Sequence, residues 1–320
     1  MSGSEKQKKP NTAINDFLKG AGNTFSSVAK KVGSSIGDAT GKTGELLTHV
    51  KDAVTNTIDA NGSGEIDIED FIILGLRIPG IAINREGFLR AELRTKHSQE
   101  TIEKAIESTP SKAGISLEAI DAIANNVISY ERNCVSGISA ALGMPGGFAM
   151  AASIPADIVQ YYGYMLRVMQ KLLYLYGFPQ INVYEKNQIL DSETLNMMTL
   201  CLGVMYGVAG ANKALIALAN ALAVGVEKQL LNQALTKGTI YPIVKEVAKW
   251  FGQKMTKQVF AGFFRDAIPV VGGLVGGTIT FLSFKPCCDK LKESLQRTIL
   301  ANPDAEKDPD FVIMDDIQIE

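Results

Sequence analysis

Apolar residues recur three or four positions apart along most of this chain, which predicts helices and almost no strand. Leu46, Leu47, Val50, Val54 and Ile58 form one such series, and Phe71, Ile72 and Leu74 begin another. The run between them is polar and lacks that period, so the pattern reads helix–loop–helix. A thinner stripe comes earlier: Ile14, Phe17, Leu18, Phe25, Val28, Val32 and Ile36, with Lys19, Lys30, Lys31 and Lys42 beside it. Such a stripe can lie on an anionic membrane surface, while the glycines from Gly20 to Gly44 weaken it as an isolated helix. From about Ser129 the polar positions thin out. Asn133–Ala156 has no charged residue over 24 positions, Thr194–Val226 has Lys213 alone over 33, and Ala267–Phe284 has none over 18. Each run is long enough to raise a membrane-spanning reading. Glycines and prolines interrupt the first and third, which favours helices packed through glycine in a soluble or peripheral domain.

The polar run at 59–70 reads DANGSGEIDIED, and its order matches a twelve-residue EF-hand calcium loop. Ca²⁺ is a hard cation taking six to eight oxygens, which such a loop supplies at alternating positions. Asp59, Asn61 and Ser63 stand at positions 1, 3 and 5, and Gly64 at the sharp turn of position 6. Glu65 would ligate through its carbonyl, Asp67 through a water, and Asp70 closes the loop at position 12. Asp70 replaces the usual bidentate glutamate and is one methylene shorter, so weaker Ca²⁺ binding is expected, with Mg²⁺ as the other candidate. Ser108–Ala119 is read as a degenerate partner loop without early carboxylates, its Ile115 placed to pair with Ile66.

Composition narrows the picture. The formal net charge is −2, which excludes a nucleic-acid face built on bulk charge. Four cysteines in 320 residues do not make a disulfide framework. Cys134 and Cys201 sit in apolar runs as buried thiols, and the adjacent Cys287 and Cys288 read as ordinary thiols near a helix end. The opening MSGSEKQKKPNT carries no apolar leader segment. A cytoplasmic location is therefore expected, with peripheral membrane contact as its extension.

Two further stretches carry a likeness: GGFAMAASIPADIVQYYGYMLRVMQKLLYLYGFP from Gly146 to Pro179, and AIPVVGGLVGGTITF from Ala267 to Phe281. In their order of glycine-rich run, Pro-Ala-Asp helix start, Arg-containing helix, Tyr-Gly and closing glycine segment, residues 130–290 resemble the bacterial EcsC family. That resemblance implies an all-helical fold and supplies no catalytic residues; an EF-hand lies outside its pattern. Read physically, Pro155 fits the first turn of a helix, with Asp157 at the positive end of the dipole. Tyr176-Gly177 then closes that helix through a left-handed glycine cap. Asp157, Tyr164 and Arg167 form a candidate ligand groove; the plainer alternative has Asp157 capping the helix and Arg167 paired with a carboxylate.

The expected fold is all-α: an EF-hand-like module followed by a glycine-rich helical bundle. The expected organisation is a disordered basic N-terminus (1–12), an amphipathic segment (13–58), the EF-hand-like module with its degenerate partner (59–128), the EcsC-like domain (129–300) and an acidic tail (301–320). No nucleophile–histidine–acid set, phosphate loop or dinucleotide fingerprint is found. The leading expectation is thus a non-enzymatic protein whose metal loop regulates meeting a membrane surface or a partner. Two alternatives stay open: an enzyme acting on a lipid or other apolar substrate, and a helical scaffold with a purely structural metal.

Overall fold

The computed structural model describes residues 67–77, 80–142, 148–181, 191–225, 233–254 and 272–303, and side chains within these outside 77, 137–160 and 252–280. Helices make up most of the described residues and no strand occurs among them, so the fold is all-α. The amphipathic segment, loop positions 1 to 8 and the acidic tail from 304 lie outside the described residues.

Helix α1 (Ile68–Arg77) begins at the tenth position of the polar loop. Its predicted apolar face is real: Phe71 and Ile72 are buried, and Leu74 is half-buried. Two short helices follow, α2 (Arg85–Leu93) and α3 (Gln99–Glu107). Each starts on a side-chain cap: Asn84 accepts from Gly87 N–H, and Ser98 from Thr101 N–H. Four long or buried helices complete the centre: α4 (Leu117–Leu142), α5 (Phe148–Leu175), α6 (Ser192–Tyr206) and α7 (Ala211–Ala223). Then come α8 (Tyr241–Lys254) and α9 (Gly272–Gln296).

The α4–α9 pairing is the most extensive, and α5 packs on both of them and on α1. Helix α6 lies against α8, α9 and α7, and touches α1 as well. One continuous apolar cluster runs from Ile68 to Ala301 and includes both the short N-terminal helices and the long ones. Ser129, near which the composition changes, falls inside α4, whose buried stripe continues from Ile120 through Ile128 to Val135.

Glycine sets one contact that matters for the site. A Cβ added at Gly75 of α1 would stand 3.0 Å from Leu166 and 3.2 Å from the Gly163 Cα of α5. The two backbones meet there with no room for a side chain between them.

Helix α5 ends as its sequence predicts. Gly177 has φ +96°, Phe178 N–H donates to Leu173 O at 2.9 Å, and Gly177 N–H to Tyr174 O at 3.3 Å. These are the two bonds of a Schellman cap. Its start differs from the expectation. The helix opens at Phe148, so Pro155 and Asp157 lie well inside it and not in its first turn. The Ala-rich turns before Pro155 favour helix strongly enough to propagate through a proline that lacks an N–H. A second correction concerns Cys287 and Cys288, which sit in mid-helix on α9, next to the internal Pro286, and not near a helix end.

Candidate functional site

The polar loop at 59–70 is described at its exit. Asp67 Oδ1 accepts from the N–H groups of Glu69, at 2.8 Å, and Asp70, at 3.2 Å. Asp70 Oδ2 accepts in return from Asp67 N–H at 2.8 Å. This reciprocal arrangement is a capping box built from two aspartates, and it fixes loop positions 9 and 12 against the first turn of α1. Asp70 is fully buried, although a carboxylate is among the groups least often found inside. A buried carboxylate is held by hydrogen bonds or by a cation. The remaining proposed ligands, Asp59, Asn61, Ser63 and Glu65, lie outside the described residues, as does Ile66. Of Ser108–Ala119, residues 108–116 form the turn between α3 and α4, and Leu117–Ala119 open α4. Its N–H groups close inward, Ala113 to Thr109 O and Ile115 to Pro110 O, and Ile115 is buried.

The candidate groove residues have different fates. The Asp157 side chain lies outside the described residues, so its convergence with the others is undescribed. Arg167 and Tyr164 both lie on α5 beside Glu131 of α4, a residue that the reading of the sequence did not single out. Glu131 is fully buried, and its Oε1 accepts from Arg167 Nε at 2.9 Å and from Lys171 Nζ at 2.5 Å. Arg167 also donates to the carbonyl of Gly80, in the connection after α1. Lys171 Nζ stands 5.5 Å from the Phe88 ring centre and 5.8 Å from that of Tyr130. The other Glu131 oxygen, Oε2, is buried without a hydrogen-bond partner among the described residues. One carboxylate therefore serves two cations in a site that joins α4, α5 and the α1–α2 connection. Desolvation lowers the Arg167 pKa, but the charge and hydrogen bond of Glu131 outweigh it and raise it overall. Burial pushes the Tyr164 hydroxyl up, with the Cys134 thiol and Glu131 carboxylate adding to it. A signal for Glu131 did exist: it falls in register with buried Ile120, Ala124, Val127, Ile128 and Val135, a charge on an apolar stripe.

The thiols are not poised as nucleophiles. Burial pushes Cys201 up to about 12 and Cys287 up to about 11, and holds Cys288 well above the ordinary thiol range. Among the described residues, two clefts open on the surface. One, of about 410 Å³, lies between α1, α6 and α8; the other, of about 530 Å³, lies over Arg85 and the end of α5. Neither is lined by Tyr164 or Arg167. No described helix is long and apolar enough to cross a membrane. Comparison with protein-family models, curated proteins and solved structures gave no match for this chain.

Proposed function

We propose that this chain is a non-enzymatic, EcsC-like protein that binds a divalent cation, Ca²⁺ in the first place, through one EF-hand loop. Asp59, Asn61, Ser63, Glu65, Asp67 and Asp70 are the ligands, and Mg²⁺ is the competing ion. The observation that supports this reading is the loop exit: Asp70 is buried, bonded reciprocally to Asp67, and seated on α1. Ion binding at that point is transmitted by a rigid helix. Helix α1 meets α5 at the Gly75–Gly163 approach, and the connection after it is gripped by Arg167. A change in α1 orientation therefore reaches the long helices and alters how they meet a membrane surface or a partner.

A single loop ended by aspartate is expected to bind Ca²⁺ with a Kd on the order of 10⁻⁴ M. Calorimetry on the full chain should give saturable heat in that range, lost in Asp59→Ala. Equal heat from wild type and Asp59→Ala, or none from either at millimolar ion, would end the metal reading. Flotation with anionic vesicles tests the second half. Recovery should differ between Ca²⁺ and chelator in wild type and not in Asp59→Ala; equal recovery throughout removes the regulation and leaves the binding.

A further inference from the structure

The α4–α9 pair brings two uncharged helix ends together. Asp121 accepts from Gln296 Nε2 at 2.6 Å and Asn125 Oδ1 from Lys292 Nζ at 2.8 Å, so the two helices run antiparallel. Continuing that register sets Arg132 level with Lys285 and Ser136 level with Phe281. A ring contact agrees with it: the Arg132 guanidinium carbon stands 3.9 Å from the Phe281 ring centre. Beyond this level neither helix carries a charge, onward from Asn133 to Leu142 on α4 and back from Phe284 to Gly272 on α9. These stretches measure about 15 Å and about 20 Å, close to the hydrocarbon depth of one leaflet. Apolar side chains reach solvent at the border, where Phe281 is 40% and Leu282 66% exposed. Beside them stand donors that the fold does not use. Arg132 Nε and Ser136 Oγ, one turn apart on α4, are buried without a hydrogen-bond partner among the described residues. The neighbouring acids are engaged elsewhere: Glu131 with Arg167 and Lys171, and Asp289 with Lys285. A cationic N–H left without an acceptor calls for an anion.

We infer that this end of the α4–α9 pair docks on an anionic bilayer, with Phe281 and Leu282 entering one leaflet and Arg132, Ser136 and Lys285 at the level of the lipid phosphates. In water the guanidinium covers the Phe281 ring, and its Nε loses hydration without replacement. On a bilayer the ring passes to the acyl chains and the guanidinium turns to a phosphate, which accepts from two of its N–H groups at once. Lys285, 43% exposed at the side chain, brings a second cation to the same level, its stem lying along apolar surface. The inference rests on the membrane part of the function proposed above and not on the cation.

Flotation of the full chain with vesicles of phosphatidylcholine and phosphatidylglycerol, in chelator and in Ca²⁺, tests it. Wild type should float, and Leu282→Asp should lower the partition coefficient at least about tenfold with an unchanged melting profile. Arg132→Gln should lose most of the preference for the anionic mixture over phosphatidylcholine alone. A second measurement locates the contact. Brominated lipid should quench the emission that Leu282→Trp adds, and not that of Val224→Trp. Val224 is 55% exposed, and the preceding Ala223 lines a cleft with Leu300, past the far end of α9. Equal flotation of wild type and Leu282→Asp, or quenching of Val224→Trp in place of Leu282→Trp, overturns the inference and leaves membrane contact to another surface. No flotation of wild type in either solution ends both. Leu282-dependent flotation that is equal in chelator and Ca²⁺ supports the surface and removes only regulation by the ion. Self-association without lipid, abolished by Leu282→Asp, would make this end an interface between copies and overturn the inference.

Discussion

Replacing Glu131 by glutamine is expected to destabilise the fold by about 3–5 kcal/mol, measured by urea unfolding. The side chain is fully buried, and both Arg167 and Lys171 point their charges at its Oε1. Glutamine has the same shape and can still accept, so packing hardly changes. What is lost is the negative charge that offsets two cations, and each is poorly hydrated where it stands: Lys171 is 9% and Arg167 25% exposed at the side chain. Removing one cation should be milder. Lys171→Met leaves a one-to-one pair between Glu131 and Arg167 and keeps an apolar stem beside Phe88, for about 1–2 kcal/mol. The double variant should therefore be more stable than the sum of the single losses predicts. Equal losses for Glu131→Gln and Lys171→Met would mean that the carboxylate does not hold both cations. The second consequence is local. Arg167 grips the Gly80 carbonyl, so losing its counter-charge should loosen the α1–α2 connection and raise amide exchange there before α4 and α5 open.

The sequence made the helices legible because a 3.6-residue period survives in any window long enough to show it. It made the end of α5 legible too, since a glycine after an apolar turn has one inexpensive conformation there, and Gly177 adopts it. The start of α5 was misread for a related reason: proline marks a first turn well, but strong helix formers upstream can carry the helix through it. The Glu131 site was hidden by distance, with 36 and 40 residues separating the acid from its cations. Only the misplaced charge on the α4 stripe betrayed it. The composition change near residue 129 was visible and yet marks no break in the backbone, because α4 carries one buried stripe across it. The loop at 59–70 shows the limit from the other side. Spacing can name ligands for a cation, while the burial of Asp70 and its bond to Asp67 come from how α1 is seated on the core.

Arg85→Met is the second variant expected to have a large effect, about 2–4 kcal/mol, and it separates the roles of charge and shape. Arg85 is 8% exposed. Its guanidinium binds carbonyl oxygens: Nε to Phe178 at 3.1 Å, Nη1 to Ile106 at 2.6 Å, and Nη2 to Ala105 at 3.2 Å and Ser108 at 2.9 Å. No described carboxylate pairs with it. Burial accordingly lowers its pKa, against a smaller opposing effect of Tyr174. The compensation is geometric. Ala105, Ile106 and Ser108 are carbonyls at the end of α3, where the helix dipole is negative, and Phe178 is the residue after the α5 cap. A planar fork reaches all of them at once, closing the end of α3 while tying it to α5. Methionine fills the volume, removes the buried charge and leaves those carbonyls without donors. Lysine keeps the charge and loses the fork, so Arg85→Lys should be no more stable than Arg85→Met. If lysine instead restores wild-type stability, the charge and not the fork is what matters. Amide exchange gives the spatial reading: α3 and the turn from Thr109 to Gly114 should open in Arg85→Met while the α4–α9 pair stays protected. The turn would be affected because the arginine binds the Ser108 carbonyl at its start and ties it to Phe178 at the end of α5.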